Sequence, residues 1–347
     1  MKRASAAPML AQVCAWSAIN TGTGNLAGLE TQARALADAA AMLPGTVTLV
    51  DAPPVPAIAA DGSEYMVGNG QHLAVSVRPQ AARRVLLTGH MDTVYPPDHP
   101  FQGLRWIDAE TLNGPGVADM KGGIAVMLAA LAAFETSRAA QAIGYDVLIS
   151  SDEETGSLSS AALLASLARG KAAALTYEPA ALPDGTLAGS RGGSGNYSLV
   201  VTGRPAHAGR NPHDGINAIV AASALALGLK ALERDGLTVN PARIEGGSAN
   251  NVVPGHAVLR FNVRPRDADA AQDFNAGLAD LVARVTREHG VTIKHHGGIT
   301  RPPKPLDERA LRLFTLVRSC GEALGQVIAW RDSGGVCDGN NIAACGV

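Results

Sequence analysis

Several apolar runs in this chain each stop abruptly at side chains able to carry a proton or hold a metal. Residues 85–88 (VLLT) lead through Gly89 to His90 and Asp92, YDVLISS leads to Asp152, Glu153 and Glu154, and AALTYEP runs out at Glu178. Short apolar runs bounded by turn residues read as buried strands. Between them lie segments with helical periodicity, such as SSAALLASLARG. Strands alternating with helices predict an α/β sheet, and open α/β sheets carry their chemistry where strands end. These polar residues are therefore expected to share one edge.

The remaining segments fit around that sheet. Residues 26–42 read as a helix stopped by Pro44-Gly45, residues 46–50 and 73–77 as strands, and GPGVADMKGGIAVMLAALAAFE as a Gly-rich turn carrying Asp119 into a long helix. From about residue 191 the texture changes. GSGNYSLVVTG is an alternating strand, and NPHDGINAIVAASALALGLKAL a helix opened by Asn211 and Pro212. TVNPARIEGG and AVLRFNVRP follow as strands, DADAAQDFNAGLADLVARVTREHG as a helix and VTIKHHG as a last strand. Strand, helix, two strands, helix, strand is the ferredoxin-like order. Residues 191–300 are thus expected to form a domain inserted into a first one made of residues 1–190 and 301–347. The helix after Leu306 and a strand near residues 327–330 should return to the first sheet.

Composition narrows the partner. A chain of 347 residues with 46% hydrophobic and 17% charged residues can bury two ordinary cores. A net charge of −2 and a pI near 6.5 leave no electrostatic footprint for nucleic acid or an anionic membrane, so a small-molecule partner is expected. The basic start is not followed by a sustained apolar stretch of the signal-peptide kind, and residues 124–134 are too short and Ala-rich to span a bilayer. Cys14, Cys320, Cys337 and Cys345 have no CxxC or zinc-knuckle spacing. A cytoplasmic protein with reduced thiols is the expectation.

One imidazole and several carboxylates on one edge (His90, Asp119, Glu153, Glu154, Glu178) would repel unless positive charge sat among them. A pair of divalent metal ions is the economical answer. Each motif alone is weak, since a His-x-Asp at a strand end is usually structural and an acidic triplet usually a solvated face. Joint placement carries the argument. Other patterns fail on context: DSGG at residues 332–335 lacks the leading glycine and the all-β setting of a serine protease loop, and GTGNLAG has the wrong spacing for a dinucleotide loop.

Taken in order, GHMDTVYP, NGPGVADMKGGIAVML, SDEETGS, YEP and VTGRPAHAG resemble the M20 family of co-catalytic zinc aminoacylases and carboxypeptidases, over roughly residues 80–305. The resemblance implies a zinc-exopeptidase-like α/β/α catalytic domain with an inserted ferredoxin-like α+β lid and dimerisation domain. It implies hydrolysis of the amide bond of an N-acyl amino acid or a peptide with a free carboxylate, with an acetylornithine deacetylase or desuccinylase type of amidohydrolase as the alternative. Two divalent ions are implied, zinc first with cobalt or manganese as substitutes, and a homodimer formed through residues 191–300. His90 would bind one ion and Asp92 would hold its other ring nitrogen. Asp119 would bridge both ions, Glu178 would complete the His90 side, Glu154 would bind the second ion and Glu153 would be the general base. His207 would reach into a neighbouring subunit to stabilise the oxyanion, and Asn251, Arg264 and Arg301 would meet the substrate carboxylate. The peptide between Asp119 and Met120 would be cis. The resemblance also implies a metal-binding histidine near the C-terminus, and no histidine follows His296. With residues 333–341 taken as the Gly-rich stretch before a last strand, Val347 would fall within that strand, which suggests a truncated chain and a catalytically impaired dimeric binding protein as a rival.

Overall fold

The computed structural model of the protein describes residues 8–347. Helix α1 (Met9–Ser17) and helix α2 (Leu26–Ala40) come first. The Asn25 side chain accepts the Gly28 N–H and starts α2, and Leu29, Gln32, Ala33, Leu36 and Ala40 form its buried stripe. Strand β1 (Thr46–Val50), a hairpin of β2 (Val55–Ile58) and β3 (Glu64–Val67), β4 (His72–Val77) and β5 (Arg83–His90) follow. A short pair, β6 (Arg105–Trp106) and β7 (Leu112–Asn113), precedes the irregular turn at residues 117–121. Then come α3 (Gly122–Glu135), β8 (Ile143–Ser150), α4 (Ala161–Ala168) and β9 (Ala173–Thr176).

The first sheet has the order β1-β4-β8-β5-β9, with β4 antiparallel to both β1 and β8, and β5 parallel to both β8 and β9. β8 is buried along nearly its whole length, the pattern of a strand covered on both faces. The 19 residues from Val117 to Glu135 have the length and hydropathy to cross a membrane. They are nevertheless interrupted by a cis peptide between Asp119 and Met120, and Ile124, Ala125, Met127, Leu128 and Leu131 belong to the core against this sheet. Gly123 lets α3 approach the sheet: a Cβ there would lie 2.0 Å from the Tyr177 carbonyl oxygen.

β10 (Leu187–Arg191) leads into a second sheet built from β11 (Ser194–Thr202), β12 (Ala206–His207), α5 (Ala218–Ala231), β13 (Leu237–Gly246), β14 (Val252–Val253), β15 (His256–Pro265), α6 (Ala268–His289) and β16 (Thr292–Arg301). Its four main strands are ordered β13-β15-β11-β16, the ferredoxin-like arrangement expected from the sequence, while β12 and β14 pair separately. Helix α5 does not open at Asn211 and Pro212, which make a single separate turn. It starts at Ala218, where the Asn217 side chain accepts the Ile219 and Val220 N–H groups.

The second sheet has its own core, in which Tyr197, Phe261 and Phe274 pack with ring centroids 4.8 to 6.2 Å apart. Phe274 is fully buried, so Phe274→Ala should destabilise this unit by about 3 to 5 kcal/mol. Urea unfolding followed by far-UV circular dichroism would register that loss.

Helix α7 (Glu308–Glu322), β17 (Trp330–Ser333) and α8 (Asp338–Ala344) complete the fold. Two expectations for this segment are corrected. β17 pairs in parallel with β10, not with the first sheet. Residues 338–344 form a helix, not the approach to a strand containing Val347, because Cys337 and Asn340 make a reciprocal cap that opens a helical turn. All four cysteines are free.

Candidate metal centre and active site

The edge at which β5, β8 and β9 end carries the polar residues singled out in the sequence. β5 delivers His90 as its last residue. A single turn after β8 holds Glu153 and Glu154, Glu178 lies two residues beyond β9, and Asp119 sits in the turn before α3. Two groups of possible ligand atoms result, each mutually within 4.8 Å: His90, Asp119 and Glu154, and His90, Glu153 and Glu178. His90 belongs to both.

The imidazole is held by its own strand end. Nδ1 lies 3.0 Å from the Asp92 carbonyl oxygen, which requires the proton on Nδ1 and points Nε2 toward the carboxylates. Nε2 is 3.0 Å from an Asp119 oxygen, 3.8 Å from one of Glu178 and 4.0 Å from Glu153 Oε2. The part foreseen for Asp92 therefore shifts. Its carboxylate is 3.4 Å from Nδ1, and its oxygens instead accept the Glu153 and Glu154 N–H groups, each at 3.1 Å, and the Thr23 hydroxyl at 2.8 Å. Asp92 thus joins the imidazole to the acidic turn, with its main chain serving one and its side chain the other. Asp92→Ala should weaken divalent-metal affinity by about 10- to 100-fold, a drop that calorimetric titration would measure.

Charge in the cluster is unbalanced as it stands. Burial, then the neighbouring acids, outweigh the pull of His90 and push Glu154 and Glu178 up to about 7. Burial likewise pushes Glu153 up to about 9 against the attraction of His90 and Arg301. Burial disfavours charge on His90, yet its hydrogen bonds with Asp119 and Asp92 and the charges around it hold its pKa well above the ordinary value. The three glutamates are thus held above their ordinary range chiefly by burial, which positive charge beside them would offset. One imidazole nitrogen and clustered carboxylate oxygens form a donor set that fits divalent cations.

Other expected residues lie elsewhere. His207 ends β12 on an exposed loop, and its Nδ1 accepts the N–H groups of Gly209 and Arg210, each at 3.1 Å, so that Nε2 carries the proton. Asn251 precedes Val252, the residue opposite His207, and its carbonyl accepts the Ala208 N–H. Arg264 is exposed on β15, with Nε donating to the Asn262 side chain. Arg301 is placed differently from the other two substrate-facing candidates. It is 6% exposed and its Nη2 lies 2.7 Å from Glu153 Oε1, so its charge is directed at an internal carboxylate.

Asp338 and Ser157 were not singled out from sequence, yet both are buried beside that pair, their side chains joined by a 2.5 Å hydrogen bond. The only sequence trace of Asp338 is its place after the Gly-rich stretch SGGVC. Of the unassigned histidines, His72 is buried against Ser151, in keeping with a structural part.

The M20 peptidase dimerisation domain model matches residues 189–290, and the peptidase family M28 model matches residues 73–179, the stretch carrying His90, Asp119, Glu153, Glu154 and Glu178. Carboxypeptidase G2 of Pseudomonas sp. (strain RS-16) is 29% identical over 221 residues, which are 63% of this chain and 52% of that protein. A succinyl-diaminopimelate desuccinylase of Novosphingobium aromaticivorans is 31% identical over 248 residues, 66% of this chain and 64% of that protein. The matched region thus spans between about half and two thirds of these relatives. Among solved structures, the M20 family metallo-carboxypeptidase Sso-CP2 from Sulfolobus solfataricus shares the fold, with a TM-score of 0.71 at 12% identity, covering 98% of this chain and 89% of that one. Two domain models, these relatives and the shared α/β fold with its inserted sheet thus make the chain similar to metallopeptidases of the M20 type.

Proposed function

We propose that the protein is a metal-dependent hydrolase of amide bonds, acting on an N-acyl amino acid or a peptide with a free carboxylate. The observation that carries this reading is the gathering of His90, Asp119, Glu153, Glu154 and Glu178 in two overlapping groups at one sheet edge. We assign His90, Asp119, Glu154 and Glu178 as the residues that would hold two divalent ions, zinc by preference. Bound there, such ions supply Lewis-acid polarisation of the amide carbonyl and activation of water near neutral pH. Glu153 takes a proton from the attacking water and returns it to the leaving nitrogen, so that water and amide become carboxylic acid and amine. Residues 1–190 and 301–347 act as the catalytic unit, and residues 191–300 as a lid through which two copies pair. His207, with its proton on Nε2, is suited to donate to the oxyanion of a partner's substrate, and Asn251 and Arg264 to hold the substrate carboxylate.

The names carboxypeptidase and succinyl-diaminopimelate desuccinylase supply two candidate substrate types, peptides with a free carboxylate and N-succinyl amines. Incubating the protein with Zn²⁺ and a panel of N-acyl and folyl glutamates, dipeptides, acetylornithine and N-succinyl amino acids should give hydrolysis of at least one class, abolished by a chelator. Metal bound at full occupancy with none of the panel cleaved would favour the binding-protein alternative.

A further inference from the structure

We propose that Arg301 and Asp338 are positioning residues for Glu153, fixing one oxygen of its carboxylate so that the other faces the metal cluster. The inference rests on the reading of Glu153 as the proton acceptor. The two oxygens of Glu153 have different surroundings. Oε1 lies 2.7 Å from Arg301 Nη2, whereas Oε2 lies 4.0 Å from His90 Nε2. A carboxylate with both oxygens free would rotate about its last torsion, which is broad and roughly two-fold. An ion pair on one oxygen removes that freedom.

Arg301 is in turn locked to the turn that carries Glu153. Nη2 donates to the Glu153 carbonyl oxygen at 2.7 Å and to Ser157 Oγ at 2.8 Å. Ser157 holds a left-handed backbone, φ 58°, which non-glycine residues seldom adopt, and its hydroxyl donates a hydrogen bond to Asp338 Oδ1 at 2.5 Å. Asp338 Oδ1 is 3.9 Å from Nη2, and its other oxygen lies 3.4 Å from the Ser150 hydroxyl at the end of β8. Glu153, Arg301 and Asp338 are 6%, 6% and 2% exposed, so the guanidinium lies between two buried carboxylates and has little room to serve a third. The chain Ser150, Asp338, Ser157, Arg301, Glu153 therefore joins the end of a central strand to the proton acceptor.

The test separates positioning from substrate binding. In metal-loaded protein, Arg301→Ala should lower kcat by about 10²-fold, the scale set by a misplacement of roughly 1 Å, while KM and metal content stay near those of the parent. Added guanidinium ion should restore part of the loss, and Arg301→Lys should retain more turnover than Arg301→Ala. Asp338→Asn should lower kcat in the same direction by less. A raised KM with kcat intact would overturn the inference and return Arg301 to the substrate. A crystal structure of Arg301→Lys gives a readout independent of turnover: the Glu153 carboxylate should lose its single orientation, and an unmoved, well-ordered carboxylate would overturn the proposal. A parent protein without hydrolytic activity would defeat the proposed function, and the crystallographic comparison would still decide whether Arg301 orients Glu153.

Discussion

Replacing Glu153 by Gln should leave the metal content of the protein unchanged and cut amide hydrolysis by about 10²- to 10⁴-fold. The amide has nearly the shape of the carboxylate, and its oxygen can still face Arg301, so the surrounding turn has no reason to move. What it loses is the capacity to take a proton. Burial pushes Glu153 up to about 9, which would keep it protonated and useless as an acceptor at neutral pH if nothing else entered the site. Cations beside it reverse that shift, because nearby positive charge favours the ionised form. The proton acceptance proposed for Glu153 should therefore depend on metal occupancy. Glu153 Oε2 is also close enough to His90 to act as a ligand. Metal analysis beside turnover separates these parts: an intact metal content with lost turnover marks a base, whereas lost metal marks a ligand. Turnover near that of the parent would mean the proton goes elsewhere.

The sheet edge was legible in the sequence because its strands are short apolar runs closed by polar residues, and that pattern depends only on burial and the strand period. The order of the second sheet was legible for the same reason. Other features depend on competition between neighbours. The β2–β3 hairpin escaped notice because Pro53, Pro54 and Pro56 break any alternation, yet these strands pair without needing those N–H groups at every position. The start of α5 was set too early because Pro212 is as good an opening residue for one turn as for a helix, and the Asn217 cap decided the matter. Arg301 shows a further limit. A guanidinium suits a substrate carboxylate and an internal one equally well, and only the burial of Glu153 and Asp338 beside it distinguishes the two. Asp92 is legible as a partner of His90, but its use of main chain for one contact and side chain for the others depends on how the strand end turns.

Removing His90 should have the broadest effect on metal binding, since both groups of candidate ligands contain it. Zinc sites keep three protein ligands even when catalytic, and without His90 each group falls to two carboxylates. His90→Ala should therefore weaken binding of the first ion by more than the roughly 10- to 100-fold expected on losing an outer-shell partner such as Asp92. Single replacements elsewhere discriminate between the groups. Glu178→Ala leaves His90, Asp119 and Glu154 together, and Glu154→Ala leaves His90, Glu153 and Glu178, so each should retain one binding event. Calorimetric titration of zinc into the metal-free protein should show this hierarchy, with His90→Ala the weakest and the two Glu variants between it and the parent. Circular dichroism guards against misfolding: the core around Phe274 does not include the cluster, so its melting should be the same in all three variants. If His90→Ala bound zinc as the parent does, the sheet edge would not be the metal centre, and the assignment of Glu153 as the base would fall with it.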